Sequence, residues 1–227
     1  IPDSIAVQGK GTKLTVREFL PDLDVIVIPS LRASHVWEYN QNKYVQENML
    51  VLVALPISVM SSVRIIRRLI DVHKVMELKG RVVRYVLKPH PTVSVNTLTG
   101  SLKRIVPDDF LFSREKSFAK MLAEADLLIT EASSSCLEAL ACGIPVIIME
   151  NDEGLTYDPI PDGIPMELYC RANTQEQLIN GIKSFAGLTP EDLERQKTMA
   201  SKIKEDYFEP ITKEGIGRLM GFSNEKV

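Results

Sequence analysis

Three consecutive serines, Ser133, Ser134 and Ser135, lie between a short apolar run, Leu127–Thr130, and an apolar stretch containing Glu138. The stretch reads as a short helix, so the serines fall where a strand becomes a helix. Backbone N–H groups at a helix start, flanked by hydroxyls, suit a phosphate. A carboxylate one turn into that helix could accept hydrogen bonds from ribose hydroxyls. Ser135 and Glu138 also have the S-x-x-E spacing of a capping box, which needs no ligand. The two readings can coexist. Lys88–Pro91 reads KPHP, placing His90 between two prolines just past a predicted strand end. Proline fixes φ and removes a backbone donor, so the loop is stiff. A histidine held this way can donate a charge-assisted bond to phosphate, or it can simply pack in a turn. At Asp109–Ser113, Leu111 and Phe112 could wall a base pocket, although such residues more often belong to a core.

Other chemistries lack support. No G-x-S-x-G surrounds any serine, and neither G-x-x-x-x-G-K-[ST] nor G-x-G-x-x-G occurs. The cysteines Cys136, Cys142 and Cys170 have no metal-ligand spacing, so no metal site is expected. Cys136 and Cys142 sit in apolar context and read as small core residues. Arg64, Arg67 and Arg68 read as a solvated helix face, with Asp71 four residues after Arg67.

The elements that must position these groups alternate. Met49–Leu55 reads as a strand. Ser58, Ser61 and Ser62 offer caps for a helix running to about Lys79 and ending at Gly80. Val63, Ile66 and Ile70 share one face of it, widened by Ile65, Leu69, Val72 and Met76. Arg81–Leu87 and Phe110–Phe112 are further strands, and Ser113 is the expected cap of a helix containing Phe118, Met121, Leu122 and Ala125. Leu127–Thr130 and Val146–Met149 suit strands buried on both faces, joined by a helical crossover. Glu167–Cys170 reads as one more strand. Thr174–Phe185, Pro190–Tyr207 and Ile211–Met220 read as helices, with a proline at N1 of the second. Alternation of this kind implies an α/β, doubly wound parallel sheet of Rossmann-like type. In such sheets ligands bind outside the carboxyl ends of the strands.

Residues before 48 are less regular. Ser4–Val7 and Asp24–Ile28 read as strands, with Gly9, Lys10 and Gly11 as a loop. Pro29–Tyr44 shows no clean period. The expected division is 1–47, the remnant of a preceding domain with a linker; 48–190, the nucleotide-binding unit; and 191–227, helices that pack back. The chain has 227 residues, 44% hydrophobic and 25% charged, which is ordinary for a globular protein. A formal net charge of −3 gives no global positive field for nucleic acid. The longest apolar run, Met49–Met60, contains Pro56 and is too short to span a bilayer.

The run LEALACGIPVI resembles the donor-binding half of GT-B glycosyltransferases. In that family a Glu-Ala-x-Ala-x-Gly-x-Pro-Val-Ile stretch follows the sugar-nucleotide phosphate loop, and Glu138 matches the glutamate that holds the ribose. The retaining branch has a second glutamate eight positions earlier. Here that position is Thr130, with Glu131 beside it, so the likeness is to an inverting enzyme. KPHP followed by a serine run resembles the His-Pro and Ser-Ser motifs of bacterial sialyltransferases and of polyol-phosphate transferases of cell-wall synthesis. The tail YFEPITKEGIGRLM resembles the closing helices of bacterial surface-polysaccharide transferases. The resemblance covers about Asn48 to Gly221. It implies His90, Ser133, Ser134 and Ser135 on the donor phosphate, Glu138 on ribose, and Leu111 and Phe112 near the base. It implies a CMP-, CDP- or UDP-linked sugar as donor substrate, no further cofactor, and a glycan or lipid-linked acceptor. It places the protein in the bacterial cytoplasm, with room for peripheral association with the inner membrane. The acceptor site and catalytic base would belong to a preceding half, leaving this chain alone nearly inactive. A sugar-nucleotide epimerase of the same fold and a non-catalytic nucleotide-binding domain are the rival readings.

Overall fold

A computed structural model describes residues 2–39, 48–76, 82–115, 117–150 and 158–221. The chain opens as strand β1 (Ser4–Val7), helix α1 (Lys10–Phe19) and strand β2 (Asp24–Val27), with β1 and β2 parallel. Lys10 and Gly11 therefore lie in the first turn of a helix, not in the expected loop. Helix α1 buries none of its residues, and its apolar Leu14 and Phe19 are exposed. A 3-10 turn (Leu31–Ala33) and the four-residue helix α2 (His35–Glu38) follow. Residues 40–44, the end of the stretch expected to be a linker, lie outside the described residues.

Alternation then builds the main sheet. Strands β3 (Asn48–Ala54), β4 (Val82–Lys88), β5 (Phe110–Phe112), β6 (Leu127–Thr130), β7 (Val146–Met149) and β8 (Tyr169–Ala172) form one sheet in the order β5-β4-β3-β6-β7-β8. Every pairing is parallel. Successive side chains of a strand point to opposite faces. Val51, Val53, Leu127, Ile129, Ile147 and Met149 thus enter one core, and Leu52, Leu128, Val146 and Ile148 the other. Burying both faces is what makes β6 and β7 continuous apolar runs rather than alternating ones. The sheet is doubly wound, as expected.

Helices cover both faces. Helix α3 (Val59–Val75) packs Ile65, Ile66, Leu69 and Ile70 on the first core, together with Leu98 and Leu102 of α4 (Val95–Leu102). Of the three serines offered as caps, Ser58 takes the role, accepting from the Ser61 N–H. Helix α3 ends at Val75, short of the expected end near Lys79, because Met76 turns to extended backbone and its N–H caps the Val72 carbonyl. Gly80 and Arg81 lie outside the described residues. Helix α4 was not expected. Only two of its residues are buried, too few to set a period. The cap of α5 (Phe118–Glu124) is Ser117, not Ser113. Ser113 instead accepts from the Glu115 N–H, and the Glu115 carboxylate accepts from the Ser117 N–H. The polar turn thus consumes Ser113 before the helix begins.

The second face carries α6 (Ser135–Ala141) and α8 (Pro190–Tyr207), while α7 (Gln175–Ala186) packs on the first beside β8. Helices α7 and α8 begin with full capping boxes at Thr174 and Thr189, and Pro190 occupies N1 of α8. The last strand begins at Tyr169 rather than Glu167, because Met166–Leu168 forms a 3-10 turn. A final helix, α9, spans Lys213–Leu219.

The two ends of the chain are tied together. The Glu209 N–H donates to the Gln8 carbonyl (2.6 Å), and the Ser30 N–H donates to the Glu209 carbonyl (2.9 Å). Trp37 donates its indole N–H to the Phe208 carbonyl (3.1 Å). Gly9 and Gly11 lie directly against Tyr207 at the end of α8. A Cβ on Gly11 would stand 2.6 Å from the tyrosine ring. These glycines are required by close approach, and their conformation is ordinary.

Candidate functional site

Register fixes a common edge. Ala54 pairs with Lys88 on one side and Thr130 on the other, and Thr130 pairs with Ile148. The carboxyl ends of β4, β3, β6 and β7 are therefore level. Strands β4 and β6 are two spacings apart, about 10 Å. His90 leaves this edge two residues past β4, and the serines leave it just past β6.

His90 is half-buried. Its Nδ1 stands 2.8 Å from the Thr92 hydroxyl and accepts from the Thr92 N–H at 3.3 Å. An accepting Nδ1 puts the proton of the neutral ring on Nε2. The loop thereby presets the tautomer whose free nitrogen is a donor, as a phosphate partner requires.

The serines are not equivalent. The Ser133 and Ser135 hydroxyls bond each other at 2.8 Å, and Ser133 Oγ also accepts from the Ser135 N–H at 3.3 Å. Ser134 is exposed. The capping box expected between Ser135 and Glu138 does not form. The cap position is Ser134, one residue earlier, with no side-chain bond. Its third following residue is Leu137, which cannot reciprocate. Glu138 is thus released from a capping duty.

Glu138 is buried at 9% exposure, and its Oε2 stands 3.3 Å from His35 Nε2. The distance suits an ion pair, but the bond is not aligned, and Nε2 has no other hydrogen-bond partner. Burial pushes the Glu138 carboxyl up from its ordinary value, opposed by the nearby Arg32 guanidinium. Burial pulls His35 down, opposed by the Glu38 charge. Both groups are drawn toward their neutral forms. Cys136, beneath the loop, is pushed up to about 12 by burial, so it is an inert core thiol.

A cleft of about 1100 Å³ opens beside Glu138. Ser134, Leu137 and Glu138 line it, together with Lys10, Gly11 and Thr12 of α1. Lys10 and Arg32 are its cationic side chains; Glu18, Asp158, Asp162 and Asp206 add carboxylates. A smaller cavity of about 150 Å³ lies alongside, lined by Ala132, Glu150, Asp158 and Arg171 among others. Arg171 pairs with Asp158 there.

The structure brings Ser134 and Glu138 to one cleft. His90, Ser133 and Ser135 share its sheet edge but not its walls. Leu111 and Phe112 lie on the edge strand β5, three spacings from β6. Leu111 is exposed, while Phe112 packs against the first core. The arginine cluster is not the solvated face expected. Arg64 pairs with the buried Glu131 directly before the serine loop, and Arg67 donates to the Ser101 and Leu102 carbonyls at the end of α4. Asp71 pairs with Arg104 at 2.9 Å. Sequence reasoning missed Lys10, placed in a glycine-flanked loop, and Arg32 and His35, which sit on elements of three and four residues, too short to show a period. Among the described residues, no group of three or more His, Cys, Asp or Glu side chains could hold a metal ion. No described helix is long and apolar enough to cross a membrane.

No family model matches the sequence, and no curated protein matches it. Solved structures do. The wall teichoic acid polymerase TagF, in a structure soaked with CDPG, superposes with a TM-score of 0.60 at 12% identity, over 96% of this chain and 55% of that one. The UDP-GlcNAc 2-epimerase of Methanocaldococcus jannaschii, in complex with UDP-GlcNAc and UDP, gives 0.57 at 13%, over 89% and 60%. The accessory secretory protein 1, 2 and 3 structure of Streptococcus pneumoniae gives 0.57 at 10%, over 97% and 43%. The chain thus spans about half the length of the structures it matches. At these identities the likeness establishes the fold, a Rossmann-like half of GT-B type.

Proposed function

We propose that the chain is the nucleotide-sugar donor-binding half of an inverting glycosyltransferase that builds a bacterial surface polysaccharide. The observation that carries the reading is the cleft lined by Ser134 and Glu138 of the segment that starts just past the carboxyl end of β6. That end of a strand is where open α/β sheets bind ligands. Glu138 would accept the ribose hydroxyls. Ser134 and the Nε2–H of His90 would donate to the phosphates, and Lys10 and Arg32 supply positive charge from the facing segments. Donors aimed at the departing nucleotide phosphate stabilise the charge that develops on it. Positive side chains and hydroxyls serve this role without a metal. The base and sugar of the donor, CMP-, CDP- or UDP-linked, and the glycan or lipid-linked acceptor belong to this proposal. So do the functional division at residues 47 and 190 and a cytoplasmic site of action, at the inner face of the membrane where the acceptor is lipid-linked.

One rival has specific support. The epimerase superposes almost as well as the polymerase, and fold alone does not choose between chemistries. Product analysis on the complete protein separates them. A transferase needs an acceptor to consume its donor, whereas an epimerase converts the nucleotide-sugar alone. Release of an epimerised sugar nucleotide without acceptor would overturn the transferase reading.

A further inference from the structure

His35 faces the buried acid of the cleft wall from the short helix α2. We propose that His35 is the positioning residue for Glu138: its imidazole holds one carboxyl oxygen, so that the other is presented to a ligand hydroxyl in the cleft. This rests on the nucleotide-sugar reading of the same cleft.

The placement of the ring is built, not incidental. Helix α2 has only four residues, too few to hold its own orientation. It is fixed from outside. Val36 is fully buried in the second core, and Trp37 is bonded to the Phe208 carbonyl. The Glu209 backbone clamps Ser30 at the start of the segment. The ring so placed brings Nε2 to 3.3 Å from Glu138 Oε2. Nε2 is buried and has no aligned partner. A buried polar atom left in that state is costly, and a small rotation of either side chain completes the bond. A hydroxyl seated on the other carboxyl oxygen would fix that rotation. Among the described residues, Arg32 acts on Glu138 and Glu38 acts on His35. Both lie on the same short segment. A glutamate without such a contact would sample several rotamers and lose affinity for a ribose.

The test is calorimetric titration of the chain with CDP and UDP, using wild type, H35Q, H35L, E138Q and the H35L/E138Q pair. A glutamine at 35 retains an N–H donor; a leucine retains only bulk. The expected result is near wild-type affinity for H35Q and about tenfold weaker binding for H35L. The two should melt at matched temperatures. In the E138Q background H35L should cost nothing further. Wild-type affinity in H35L, or equal losses in both backgrounds, would overturn the proposal. A loss shared by H35Q and H35L would overturn it too, showing that only the imidazole's packing matters. Ring NMR reads the contact without any ligand. The His35 ring resonances should shift in E138Q, because the oxygen facing Nε2 at 3.3 Å is altered. Unmoved resonances overturn the contact. If wild type binds neither nucleotide while the resonances move, the donor reading fails and the pairing stands.

Discussion

Glu138 sits in surroundings that leave a mark on stability even without ligand. Burial raises its folded pKa above the ordinary 4.5, against the pull of Arg32. The native state then keeps a proton that the unfolded chain has lost. Stability contributed by this group therefore falls as pH rises from about 4.5 toward the folded value. Glu138→Gln removes that loss. The difference in melting temperature, Gln minus wild type, should grow between pH 4.5 and 7, and a flat difference would contradict the burial argument. His35 works in the opposite sense. Its pKa is lowered, so its share of stability is lost as pH falls below 6.5. At the same scale, His90→Ala should weaken nucleotide binding by about 1.5–3 kcal/mol, as one charge-assisted bond. Ser134→Ala should cost about 0.5–1.5 kcal/mol, as one neutral bond. Calorimetry of each variant checks the order. Equal losses would mean that the presented Nε2–H of His90 does not meet a phosphate.

At the scale of elements, the serine loop is held from below. Arg64 on α3 pairs with Glu131 at the end of β6, and Glu131 is buried at 8% exposure. Removing the arginine leaves a buried carboxylate without its pair. A fully buried pair broken this way costs about 3–5 kcal/mol, and partial exposure of Arg64 reduces that to about 1–3 kcal/mol. Arg64→Met should show this loss in urea unfolding, along with weaker nucleotide binding as the loop loosens. Full stability in Arg64→Met would show that the pair is incidental. The strands and α3 were legible in the sequence because burial on one or both faces writes a period into the residues. Helix α4 buries only two residues and writes little period, while the start of α1 was hidden because Gly9, Lys10 and Gly11 read as a loop. The site failed differently. Ser135 and Glu138 have capping spacing, but the helix starts one residue earlier than that spacing implies. A single-residue offset is invisible without the backbone, and it turns Glu138 from a cap into a free acid. Arg64 read as solvated because its partner is distant in sequence.

At the scale of the molecule, the cleft exists because the chain's two ends meet. Its walls come from α1 and from α6, and the end of α8 seals α1 against the rest through Tyr207 and Glu209. No local pattern encodes such a contact, although Gly9 and Gly11 are its trace in sequence. The chain covers only 55% and 43% of two of the matched structures, which is why donor binding and transfer should separate. The chain of residues 1–227 is expected to bind nucleotide without turning over a donor; robust transfer would show that residues 1–47 already complete an acceptor site. The most direct test of the central claim is a crystal of this chain soaked with CDP or UDP. The expected density places the ribose on Glu138 and the phosphates toward Ser134 and His90, along the carboxyl edge of the sheet. A nucleotide bound elsewhere, or none at concentrations well above a millimolar affinity, would contradict it.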